Sequence, residues 1–140
     1  MKNSLRVFIG VVASLLLVAG FGAPAQAAYR NIGCNVAING QLHYCPDVQF
    51  HSGGGMNIAP VSVNTCGGSI SLGMRNANTG FQMTNSVTWN WLPYNVRTLS
   101  NPASGSTSLP AASYAMNARV TGVCGEPLGT YLIASFGYNL

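Results

Sequence analysis

A chain of 140 residues has the length of one folded domain, and six lysines and arginines against two carboxylates give it a net charge of +4. Those basic residues are scattered rather than clustered, which excludes a nucleic-acid footprint or an attractive patch for anionic lipid. Only 6% of residues are charged while 48% are hydrophobic, so the chain is not a disordered tail.

Residues 1–27 read as a secretory signal peptide. Lys2 and Arg6 supply the positive start, and Val7 to Ala19 form an apolar run too short for a membrane span. Pro24 breaks the helix, and Ala25-Gln26-Ala27 offers small residues for cleavage before Ala28. Removing 27 of the 140 residues leaves 113, with Arg30, Arg75, Arg97 and Arg119 against Asp47 and Glu126: net charge +2, and no lysine. The expectation is a single domain over 28–140, secreted, extracellular or cell-surface associated, with no stable membrane insertion after cleavage.

Four cysteines remain, Cys34, Cys45, Cys66 and Cys124. In an exported chain they read as two disulfides, with three pairings open. Asn39-Gly40 is the dipeptide of a two-residue hairpin turn. A hairpin centred there sets Val36 against His43 and Cys34 against Cys45, which leaves Cys66 for Cys124. His43, Asp47 and His51 recur every four residues, a spacing that would gather metal ligands only on a helix, and Pro46 argues against one. They read as exposed loop and strand-end side chains, and no metal or cofactor is expected.

Strand signals follow. Ile58 to Thr65 contains Val61 and Val63 in phase, and Pro60 marks it as an edge strand or an irregular start. Ile70, Leu72 and Met74 alternate with small residues up to a turn at Arg75 to Gly80. Phe81 to Trp91 is the longest alternation: Phe81, Met83, Asn85, Val87, Trp89 and Trp91 on one side, Gln82, Thr84, Ser86, Thr88 and Asn90 on the other. It reads as one long strand, paired with the preceding one as a hairpin. Val96 to Leu99 is a further short strand, and Ser100 to Ala112 a Ser/Pro/Gly/Ala-rich loop. Tyr114, Met116, Ala118, Val120 and Cys124 share one phase and point to the core. Tyr131 to Tyr138 is fairly apolar on both faces, which suggests a central position or a contact face. The fold class is all-β, an antiparallel β-sandwich or small β-barrel with two disulfides. A transmembrane barrel is not expected, since eight spanning strands of about ten residues plus turns would consume nearly the whole chain.

Catalytic supply is thin. Asp47 and Glu126 are the only mature carboxylates, there is no Gly-x-Ser-x-Gly elbow, and two disulfides leave no free thiol. The chain is therefore expected not to be an enzyme. The binding candidates are Trp91, Tyr94 and Asn95, because flat aromatic faces beside amides suit sugars and protein partners. Trp89 belongs to the core. Trp91 is the exception, because Leu92-Pro93 places it at the strand's exit. The function expected is a secreted, non-enzymatic binding domain for a protein or cell-surface carbohydrate. One alternative is a protease inhibitor or antibacterial effector acting through the Ser100 to Ala112 loop. The other is a structural, self-associating surface protein, since low charge leaves strand edges poorly protected.

Overall fold

The computed structural model describes residues 27–61, 65, 67–124 and 129–140. The signal segment up to residue 26, Cys66 and Glu126 lie outside that set. Eight strands run in chain order: β1 (Ala28–Ala37), β2 (His43–His51), β3 (Asn57–Pro60), β4 (Ile70–Asn76), β5 (Val87–Trp89), β6 (Arg97–Thr98), β7 (Ala112–Val120) and β8 (Gly129–Tyr138). They form two four-stranded sheets, ordered β1-β8-β3-β6 and β2-β7-β4-β5, and every pairing is antiparallel. The described residues contain no helix.

One core lies between the sheets. Ile32, Val36, Ile58, Leu132 and Phe136 come from the first, and Ile70, Leu72, Met74, Trp89, Tyr114, Met116 and Val120 from the second. The alternation of β7 places Tyr114, Met116, Ala118 and Val120 inward, as its period requires. β8 is central, held between β1 and β3; Leu132, Ala134 and Phe136 of its inward face are buried, while Tyr131 of its outward face is exposed. The outward residues Ala115 and Asn117 of β7 are buried as well. Residues 81–86 fold over them: the Asn117 amide donates to Gln82 Oε1. A Cβ at Gly73 would sit 2.7 Å from Gln82 Nε2 and 3.1 Å from the Asn85 carbonyl oxygen, so glycine here lets the covering segment approach closely.

The Cys34–Cys45 disulfide is present, with Cα atoms 5.3 Å apart. It does not close a hairpin, however. β1 and β2 belong to different sheets, and the bridge staples one sheet to the other. Asn39-Gly40 does turn, with Gly40 at φ +71° and Gln41 N–H donating to Asn39 Oδ1. The Gly40 N–H then bonds Val120 of β7, and that bond carries the chain into the second sheet. The described residues include no free cysteine. The Cys66–Cys124 pairing involves a residue outside the described set. Cys124 itself is exposed beyond the end of β7, not in the core.

The long strand over Phe81 to Trp91 is broken. Only Val87–Trp89 runs as strand against Ile70, Ser71 and Leu72. A bulge interrupts the rest. Met74 C=O accepts from both Met83 N–H and Thr84 N–H, and Thr84 Oγ1 accepts from Met74 N–H at 2.9 Å. Two residues thus oppose one, the phase flips, Thr84 is buried and Phe81 is expelled. Asn85 bonds the backbone of Ser100 in the next loop instead of β4.

Three smaller expectations change. β3 is internal rather than an edge. Pro60 is tolerated because it ends the strand and β6 covers only Asn57 and Ile58. His51 is fully buried, not an exposed strand-end residue: its Nε2 lies 3.2 Å from the Gly54 carbonyl oxygen and its Nδ1 3.0 Å from Asn139 Oδ1. The loop after Ser100 is compact, with its Leu109 buried against Gly54.

Candidate functional site

The expected binding residues lie in the connection from β5 to β6. Trp89 ends β5 opposite Ile70, the first residue of β4. Past it the chain has no ladder to join, so it turns away from the sheet. Trp89 is 3% exposed and Trp91 74% exposed.

The connection is held in place from behind. Trp89 Nε1–H donates to the Asn95 carbonyl at 2.8 Å. Thr65, itself buried, donates its hydroxyl to Asn90 C=O at 2.7 Å and its N–H to the Tyr94 phenol oxygen at 3.0 Å. The Arg97 guanidinium lies 5.5 Å from the centre of the Trp89 ring. These contacts fix the backbone on both sides of Trp91 while leaving its indole in solvent. A cavity of about 350 Å³ adjoins it, lined by Thr88, Trp89, Asn90, Trp91, Leu92, Pro93, Asn95 and Arg97.

Trp91 and Asn95 thus line one cavity. Tyr94 stands apart: it is half-buried, packs against the core and serves as the loop's anchor. Sequence reasoning missed Asn90, Thr88 and Arg97 as cavity walls. Their signal was the polar phase of the Phe81–Trp91 alternation and the basic residue just beyond it. The cavity presents an aromatic face, a hydroxyl, two exposed Asn side chains and one cation already stacked on a ring. That set suits a ligand with hydroxyls and an apolar face, and lacks a carboxylate base or a nucleophile beside a base.

His43, Asp47 and His51 do not converge. His51 fastens the Gly54 and Asn139 segments, Asp47 Oδ2 accepts from Gly33 N–H of β1 at 3.2 Å, and His43 lines a separate cavity of about 460 Å³ with Asn35, Thr130 and Tyr131. Among the described residues no group of three His, Cys, Asp or Glu side chains is placed to hold a metal ion.

No family model matches the chain, and no curated protein matches it. One solved structure is similar in part, from work describing Bacillus endospore appendages as a novel family of disulfide-linked pili. The match covers 84% of this chain and 94% of that one, with 9% identity and a TM-score of 0.42. At that distance the likeness assigns no function to this chain.

Proposed function

We propose that this chain is a secreted, non-enzymatic β-domain that binds a neutral carbohydrate of a cell surface through Trp91 and Asn95. The observation that carries the reading is the exposed indole of Trp91 on a connection fixed by Thr65, Tyr94 and Trp89. A large ring held in water at an entropic and hydration cost, on a pre-ordered loop, is the arrangement that stacks on a sugar without further ordering. Export is supported by the signal-like start and by a disulfide that persists in oxidising compartments. Absence of catalysis is supported by the scatter of His43, Asp47 and His51.

Chemical-shift mapping with neutral cell-wall oligosaccharides tests the site. The indole N–H of Trp91 and the side-chain amides of Asn90 and Asn95 should shift together. Shifts confined to other surfaces, or none, refute it.

A second reading is a structural surface protein that associates with its own copies. Tyr29, Tyr44, Phe50 and Tyr131 are each more than half exposed on a domain with few charges, and surfaces of this kind favour association. Concentration-dependent sedimentation supports it; a monomer at every concentration refutes it.

A further inference from the structure

β1 is the outer strand of its sheet and runs ten residues without proline or bulge. Its two sets of backbone groups are distinguishable. Gly33 N–H points away from β8, because it donates to Asp47 Oδ2. Its partner Ile133 likewise turns its carbonyl away from β1, to Val61 N–H. The pair Gly33–Ile133 is therefore a non-hydrogen-bonded one, and the odd residues Tyr29, Asn31, Gly33, Asn35 and Ala37 face outward with their N–H and C=O groups. Such a row is a template for another strand. Among the described residues, the one hydrogen bond to this row is that of Gly33 N–H to Asp47, which the bulge in β2 between Tyr44 and Val48 presents to β1.

Two charges flank that edge, and among the described residues neither has a charged partner. Arg30 donates to the side-chain oxygen of Gln49 at 3.2 Å, and Asp47 accepts from a backbone N–H. Both lean into the gap where β1 and β2 are stapled by Cys34–Cys45.

We infer that β1 pairs antiparallel with β1 of a second copy, across a twofold axis at Ile32, with Arg30 of each copy meeting Asp47 of the other. It rests on the self-association reading. Outward residues must pair with outward residues, so Asn31 faces Gly33 of the second copy and Tyr29 faces Asn35. That register uses Ala28 to Val36 and forms about eight backbone hydrogen bonds. It sets Arg30 opposite Cys34, one residue from the Gly33 that Asp47 covers. When Gly33 N–H passes to the carbonyl of Asn31 in the second copy, the displaced Asp47 gains a guanidinium in exchange. The exchange occurs twice by symmetry, which makes the edge self-complementary. Asp47 thereby guards the free edge and also selects what may join it.

Sedimentation equilibrium of the oxidised mature chain at low salt tests the pairing, with circular dichroism on every variant. The wild type should dimerise. R30D and D47R should each weaken the dimer by about tenfold or more, and R30D/D47R together should restore it. Asn35→Pro should abolish the dimer while the monomer keeps its fold, because that N–H points outward and edge strands accept proline. A wild-type dimer indifferent to Asn35→Pro and to both charge reversals overturns the β1 pairing and leaves self-association standing. A monomer throughout overturns both.

Discussion

Trp89 and Trp91 stand two residues apart in one backbone and in one phase, and they occupy opposite environments. Trp89 has Ile70 across the ladder, Arg97 over its ring and a carbonyl for its N–H. Trp91 has none of these, because β4 begins at Ile70 and offers nothing further to pair with. The difference teaches that period alone does not bury a side chain; a partner strand must continue beneath it. Where the partner stops, the same residue type changes from core to exposed surface.

The largest expected effect breaks the buried side of that comparison. Trp89→Ala should cost ~3–5 kcal/mol in urea unfolding, through the cavity and the orphaned Asn95 carbonyl. A cost near zero would mean that Trp89 is not core. Removing the Cys34–Cys45 staple by double alanine substitution should cost about 3 kcal/mol, from the loop closed over a separation of 11 residues. Backbone chemical shifts of residues 88–97 should stay unchanged in that variant, since the staple lies at the β1 and β2 edges and the Trp91 loop is fastened separately.

Thr84→Val tests the bulge. It removes the acceptor of Met74 N–H inside the protein, for an expected cost of ~1–3 kcal/mol. A neutral result would show that the bulge does not depend on that hydroxyl. Tyr114→Phe should cost least, about 1 kcal/mol, because one hydrogen bond to Pro110 C=O is lost and the ring stays. It also has a pH signature. Burial raises the Tyr114 phenol above its ordinary value of 10.0. The folded state therefore holds that proton more tightly than the unfolded chain. The resulting stability is fully present below pH ~10 and is lost as pH rises further, through the folded value. The Phe variant should lack this alkaline component in a chemical-denaturation series.

β7 and β8 were legible because each has ladder partners along its length, so the residues in phase from Tyr114 to Val120 face the core, although Ala115 and Asn117 are covered on the other face too. The Cys34–Cys45 pair was also legible, though for a different geometry. Asn39-Gly40 specifies a bend, and nothing in a bend says whether its two arms pair together or join opposite sheets. That choice rests on Gly40 bonding Val120, a contact between residues 80 apart in sequence. The break at Thr84 was illegible for a similar reason, since its hydroxyl competes for a backbone N–H on another strand. Trp91 was legible as the exposed ring because Leu92-Pro93 ends the strand beside it. The anchoring of Tyr94 was not legible, because the Thr65 N–H that holds its phenol lies 29 residues away in sequence.

Stability and binding should separate at Trp91, and calorimetric titration of Trp91→Ala beside the wild type measures this most directly, on a panel of neutral cell-surface oligosaccharides. The wild type should bind at least one of them, Trp91→Ala should bind none, and the two should unfold at nearly the same temperature. Undiminished binding by Trp91→Ala, or a wild type that binds no neutral glycan, would contradict it.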